Sequence, residues 1–256
     1  MTTDRMYADR VFKSGEKLKP FQPAPQGGPI KVWAYSVLMD FERCPMAVKL
    51  AKIDKIRVDN SDNKALVRGN EIHQIAEDHT TGKTASDEVP PELKKFENDF
   101  IHLREEFAKG NVSVEENWGV LPDWMPCEWS DKNLWGRVKL DAFLRESETS
   151  ARCIDHKTGR KFGNEMKHSL QGMFYTLAAF YRFPELQFIQ TEFWYLDKGE
   201  KLIKEYTRAE IEVLKERLTK RAIALTSCTD FPARPSKASC KWCDFKKSGD
   251  CQFAEQ

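Results

Sequence analysis

The chain has 256 residues, 40% of them hydrophobic and 32% charged, with a formal net charge of +1 and seven cysteines. That length suits one well-buried domain with appendages or two small ones, and the balance is that of a soluble globular protein rather than a disordered one. No apolar run approaches the roughly 18 residues a membrane-spanning helix needs, and residues 1–19 lack a secretory signal's apolar centre, so a cytoplasmic protein with no membrane partner is expected.

Residues 1–30 end in a Pro/Gly-rich stretch and read as an extended arm. A helical pattern starts at Ser36, with Val37, Phe41 and Cys44 on one face and Pro45 closing it. Helices are predicted over 66–78 and over 92–109, the second ending at Gly110, which suits a left-handed stop. The period then changes. Residues 112–120, 134–145 and 150–157 read as strands, followed by a strong helix over 165–182. A hairpin over 186–206 turns at Asp197-Lys198-Gly199, and a long helix carries Ile211, Leu214, Leu218, Ala222 and Leu225 on one stripe. The tail from Asp230 is rich in Pro and Cys. This order describes a mixed α/β domain with helices around a central sheet.

The segment Cys153-Ile154-Asp155-His156-Lys157 carries the most chemistry. Side chains alternate along a strand, so Asp155 and Lys157 share a face. A carboxylate can hold a hard divalent cation, an amine beside it can orient or deprotonate water, and the His156 carbonyl between them offers another oxygen. The tripeptide pattern alone carries little weight, because Asp/Glu-x-Lys also occurs at Asp62, Glu92, Glu165 and Asp244. Its surroundings add more. The preceding strand delivers Asp141, which could meet Asp155 across neighbouring strands. Gly69 and His73 lie one helical turn apart, the glycine leaving room for another backbone and the imidazole offering a nitrogen ligand. Gln171 and Tyr175, at i and i+4, share a helix face and can bond phosphate oxygens. Glu116 is a further acidic candidate.

Three cysteines crowd the tail as Cys240, Cys243 and Cys251. In a reducing compartment this spacing points to metal ligation rather than disulfides, and a fourth ligand is needed. Charge is uneven: 87–106 is acid-rich and 201–247 basic, which by itself neither favours nor excludes a nucleic-acid partner.

His73, Asp141, Asp155-x-Lys157 and Gln171-x-x-x-Tyr175 stand in an order and approximate spacing that resembles the RecB-like branch of the PD-(D/E)XK nucleases. One departure is the interval from Gly136 to Asp141, longer than usual in that branch. The resemblance implies a restriction-endonuclease-like α/β fold, a central mixed sheet flanked by helices, with N- and C-terminal segments joined by a metal or iron–sulfur cluster. It divides the chain into the arm over 1–30, a helical region over 31–110 with Cys44 and His73, a nuclease core over 111–206 and a cysteine tail over 207–256, all one integrated domain. It further implies a DNA exonuclease in which His73, Asp141, Asp155 and His156 hold Mg²⁺ or Mn²⁺, Lys157 prepares the water, and Gln171 and Tyr175 position the substrate. The split cysteine pattern resembles the CRISPR-associated adaptation exonucleases and AddB-type recombination subunits, which makes Cys44 the fourth ligand of a 4Fe–4S cluster. Zinc in that pocket, and Cys228 as fourth ligand, are the rival readings. Expected partners are DNA ends or single strands, with recombination or CRISPR-adaptation proteins. The competing function is a non-catalytic DNA-end-binding or scaffold subunit. Trp135 and Trp242 are candidates for stacking on unpaired bases, but a core position is the expected role of each.

Overall fold

The computed structural model describes residues 27–59, 63–84 and 88–254, so the arm expected over 1–30 lies outside it as far as residue 26. From residue 28 the chain is already packed. The Gly28 amide bonds the Thr226 carbonyl at 2.9 Å, and Ile30 is buried. A short strand β1 (Trp33–Ala34) leads into α1 (Tyr35–Arg43), after which Pro45 begins a further helical turn, Pro45–Val48, rather than ending all helical structure. Helix α2 (Lys64–Thr80) starts two residues earlier than its apolar pattern suggests, because the Asn63 side chain accepts from the Leu66 amide. The next helical stretch is divided: a 3₁₀ turn over Pro91–Phe96 precedes α3 (Glu97–Ala108), and Gly110 at φ 82° stops it as expected.

Strands β2 (Val112–Val120), β3 (Pro126–Cys127), β4 (Gly136–Arg145) and β5 (Ser150–Lys157) precede α4 (Glu165–Arg182), and the hairpin β6 (Phe188–Tyr195) and β7 (Glu200–Thr207) precedes α5 (Ile211–Thr226). The tail forms two short helices, α6 (Lys237–Lys241) and α7 (Asp244–Lys247). The main path of the sheet runs β3-β2-β4-β5-β6-β7, antiparallel except where β5 pairs with β6, and β1 joins it through a second parallel pairing, with β4. The β5–β6 pair is joined by α4 as crossover. It is therefore a mixed sheet with helices on both faces, the restriction-endonuclease-like architecture. Strand β5 is central, and the consecutive residues Cys153, Ile154, Asp155 and His156 are all buried, so both of its faces are covered where the chemistry lies.

One face of the sheet packs on α2, the Pro91–Phe96 turn and α3 through Ile72, Leu93, Phe96, Phe100, Ile154 and Trp194. The other packs on α1, α4 and α5 through Leu38, Phe174, Leu177, Phe193 and Leu218. Trp33 stacks on Phe174 at 4.5 Å and meets Trp135 edge-on at 5.4 Å, so β1 is locked between the sheet and α4. Trp135 is fully buried in this aromatic group, the core position expected of it, and offers no surface for base stacking.

Two short strands escaped the sequence reading. Strand β1 pairs in parallel with Gly136 and Arg137 of β4, residues that already pair with β2 on the opposite edge. It thus occupies the edge of β4 that β5 leaves. The β4–β5 ladder covers only Ala142–Arg145 opposite Ala151–Ile154. Beyond that point the two strands fork.

Helix α4 lies close over the sheet at Gly172, where an added Cβ would sit 2.7 Å from Thr191 Oγ1 and 3.3 Å from Thr191 Cβ. Gly172→Ala should cost about 1–3 kcal/mol in urea unfolding. Combined with Thr191→Ala, the loss should fall below the sum of the single losses; strict additivity would show that helix and strand do not touch there.

Candidate active site

The fork in the sheet gathers the chemistry. Asp141 of β4 and Asp155 of β5 are the first residues past the end of the β4–β5 ladder. In place of the next ladder bond, the His156 amide donates to Asp141 Oδ2 at 2.6 Å. On its other side, β2 is distorted next to Asp141: Glu115 takes φ 52°, although the register either side is unchanged. The other oxygen of Asp141 meets His73 Nδ1 of α2 at 3.1 Å.

Alternation along β5 sends neighbouring residues to opposite faces. The His156 ring faces α2 and α3, with its centroid 5.3 Å from Phe100 and 5.5 Å from Trp194. Asp155 faces α4, where Tyr175 donates to its Oδ1 at 2.6 Å and Gln171 Nε2 to the same oxygen at 3.1 Å. Its second oxygen is ion-paired with Lys157, and Gln171 also reaches the Tyr175 hydroxyl at 2.5 Å. Every residue named for the catalytic centre therefore lies at one locus.

Burial dominates the electrostatics. It raises the Asp155 carboxyl above the ordinary range, an effect opposed by Lys157 and reinforced by the charge on Asp141. Burial also pushes Asp141 up, but the His73 bond, the neighbouring imidazoles and the His156 amide outweigh it and hold that group below the usual carboxylate range. His73 is raised by its bond to Asp141. His156 is pushed down by burial to about 4, and burial also carries Tyr175 well above its ordinary value. At neutral pH the fork thus holds a neutral His156, an ionised Asp141 and a carboxylate at 155 under pressure to protonate.

His73, Asp141 and His156 each offer a ligand atom, all within 4.8 Å of one another, and His156 Nε2 is buried with no hydrogen-bond partner. This donor set fits a divalent cation. The sequence reading assigned His156 through its carbonyl; the structure adds its imidazole, because the ring faces Asp141 and His73 rather than Asp155. Asp155 stands outside that trio, engaged by Lys157, Gln171 and Tyr175. Gly69 corrects one expectation: an added Cβ there would meet only Thr158 Oγ1 at 4.0 Å, so no backbone packs against it. Glu116 accepts from Trp118 Nε1 at 2.8 Å.

A cleft of about 530 Å³ opens from the fork on the α4 side, bordered by Lys157, Gln171 and Tyr175 and by residues the sequence reading did not single out, Trp129, Arg137, Lys139 and Lys167. Only the folded arrangement could find these, since they come from a loop, a strand end and a helix start.

The four cysteines assigned to a cluster also converge. Cys44, Cys240, Cys243 and Cys251 all line one small cavity with Ala47, Leu50 and Pro235, and Cys44 Sγ accepts the Arg234 amide at 3.4 Å. Cys228 packs instead against the main core. Cys153 is buried within β5, its thiol raised by burial, and burial pushes Cys127 up to about 11. Trp242 is 68% exposed beside this tail, under the Lys241 ammonium.

A forked mixed sheet that assembles two carboxylates, a lysine and two histidines defines the restriction-endonuclease-like class of nuclease folds. The chain belongs to the PD-(D/E)XK nuclease superfamily, whose family model matches residues 32–248. Membership implies hydrolysis of nucleic-acid phosphodiester bonds with the help of divalent metal ions. No curated protein matches the chain in sequence at a significant level. The solved structure described as the crystal structure of SSO0001 is similar over 89% of this chain and 88% of its own, at 15% identity and a TM-score of 0.46. None of the described helices is long and apolar enough to cross a membrane.

Cation binding at the fork should release protons. A raised His73 must lose its proton to ligate, and a raised Asp155 must be ionised to contribute charge, so both effects weaken binding as pH falls. Mn²⁺ affinity measured by calorimetry should drop steadily from about pH 8 to about pH 6. A flat profile over that range would place the cation elsewhere.

Proposed function

We propose that this protein is a RecB-like deoxyribonuclease, dependent on Mg²⁺ or Mn²⁺, that works as an exonuclease on DNA ends or single strands in recombination, repair or CRISPR- or phage-linked DNA processing. The observation that carries this reading is the meeting of Asp141, Asp155 and Lys157 where β4 and β5 part, since hydrolysis of a phosphodiester needs negative ligands and a proton-handling group around one point. His73, Asp141 and His156 would hold the cation, and Asp155, now engaged by Lys157, Gln171 and Tyr175, would complete its ligand set. When bound, the cation offsets charge that builds on the phosphorus oxygens and lowers the cost of ionising water.

The chain's own groups supply the rest. Lys157, beside Asp155, orients the attacking water and takes part in its deprotonation. Gln171 and Tyr175 fix Asp155 in one rotamer, and each has hydrogen-bonding capacity to position the phosphate backbone. Packing of the His156 ring on Phe100 and Trp194 excludes water from the far side of the fork. The full set of ionisable groups favours an enzyme over a non-catalytic DNA-end-binding subunit.

Cys44, Cys240, Cys243 and Cys251 hold a 4Fe–4S cluster in this reading, with zinc as the rival occupant. Their common cavity supports it. Cross-linking residues so far apart in sequence would restrict the unfolded chain by about 5 kcal/mol, if estimates for disulfides carry over, so its role is structural.

Asp155→Ala and Lys157→Ala should each lower Mn²⁺-dependent cleavage of end-labelled DNA by roughly 10²–10⁴-fold. Wild-type rates in both variants would remove the proposed catalytic centre. A closed single-stranded circle should resist digestion, and its rapid cleavage would exclude an exonuclease. Anaerobically purified protein should be brown, contain iron and sulfide, and lose both in Cys243→Ala; a colourless zinc protein would overturn the iron–sulfur assignment and leave the nuclease untouched.

A further inference from the structure

The cleft that opens from the fork has two properties the catalytic reading does not use. Its border is basic: Arg137 and Lys167 stand there beside Lys139, which is paired with Glu115 at 2.6 Å, and the catalytic Lys157, which is paired with Asp155, while the bordering acid, Asp40, is paired with Arg43 at 2.9 Å. It also carries a half-buried indole, Trp129, from the loop between β3 and β4, over which the Arg137 guanidinium lies at 4.6 Å from the ring centroid. A ring held from one side by a cation loses little freedom when a flat ligand meets it.

We infer that Trp129, braced by Arg137, is a stacking platform for one unpaired base, and that the cleft takes a single DNA strand whose register over the catalytic centre this platform sets. Indole–base stacking is tolerant of sequence and needs an exposed base face, which a paired base inside a duplex does not offer. The basic border supplies the complementary charge for the phosphates between. At about 530 Å³ the cleft lies in the range that takes small ligands, room for about one or two nucleotides. Lys157, Gln171 and Tyr175 border the same cleft and contact Asp155 or one another, so a strand held at Trp129 leads to the fork. Trp129 is thereby a specificity-determining residue, with stacking as the reason that an unpaired strand is chosen. The direction in which the strand runs toward the centre rests on the nuclease reading; the stacking itself does not.

The test is a binding profile recorded in Ca²⁺, which does not require cleavage. A fluorescein-labelled thymidine oligonucleotide is compared with copies that carry an abasic site at each successive position. Wild-type protein should lose roughly tenfold in affinity at one or two positions, as expected for one stacked base. Trp129→Ala should bind more weakly and show a flat profile. Trp129→Leu, which keeps apolar bulk without a π face, should also be flat, and Arg137→Gln should show a shallower dip. A merely structural tryptophan would weaken binding without erasing the dependence on position, so a wild-type dip in Trp129→Leu overturns the inference. So does a wild-type profile with no dip. Asp155→Ala should retain the dip while losing cleavage in Mn²⁺. A Trp129-dependent dip in a protein that cuts no DNA would sink the nuclease reading and uphold the platform; cleavage with no dip would do the reverse.

Discussion

The bond from the His156 amide to the Asp141 carboxylate holds the functional region open. Two antiparallel strands that continued their ladder would bring Asp141 and Asp155 side by side and close the sheet over the space between them. Here the ladder stops at Ala142 and Ile154, and one carboxylate takes over the amide that would otherwise be left without a partner. A buried amide left unsatisfied would cost about 1–3 kcal/mol, so the side chain makes the fork affordable. The same carboxylate then turns its second oxygen to His73. One side chain both parts the strands and binds at the gap.

The division of labour around β5 follows from strand geometry. His156 faces the aromatic wall of Phe100 and Trp194, while Asp155 and Lys157 face α4 and the open cleft. A buried, neutral imidazole and an ionised Asp141 therefore lie behind the fork, and a carboxylate–ammonium pair lies in front of it. Desolvation raises Asp155, and three donors restrain its charge: Lys157, Gln171 and Tyr175. Such tension between burial and pairing is common where a group must bind charge and manage protons. Close packing of α4 over the sheet at Gly172, one residue from Gln171, keeps those donors in reach.

The periphery reinforces the same region. Strand β1 fills the edge of β4 that β5 abandons, and the Tyr35 hydroxyl at the start of α1 donates to the Lys167 carbonyl on α4. The C-terminal segment returns to α1 through Arg221 on Glu42 at 2.6 Å, Arg234 on the Glu42 carbonyl at 3.0 Å and the cavity shared by four cysteines. Both ends of the described chain thus brace α1, whose first turn borders the cleft. The exposed ion pair alone contributes little to stability; the buried aromatic group around Trp33 contributes more.

Much of this was legible in the amino-acid sequence, because local pattern carries it. Alternation and helical period gave β2, β5 and α4 their observed bounds, and Gly110 marked the end of α3. The spacing of His73, Asp141, Asp155, Lys157, Gln171 and Tyr175 singled out residues that meet at one locus, whereas Cys44 was joined to three cysteines nearly two hundred residues away only through a family resemblance. What pattern could not give depends on distant partners. Strand β1 is two residues long and exists only because β4 has a free edge; Trp242, expected in a core, stands exposed because the described tail builds no core over it. Trp129, Arg137 and Lys167 border one cleft through the turn of three separate elements. The imidazole of His156 joins His73 and Asp141 because a forked sheet, rather than any spacing, brings a strand end against a helix. Periodicity decides which way a side chain points; only packing decides what it meets.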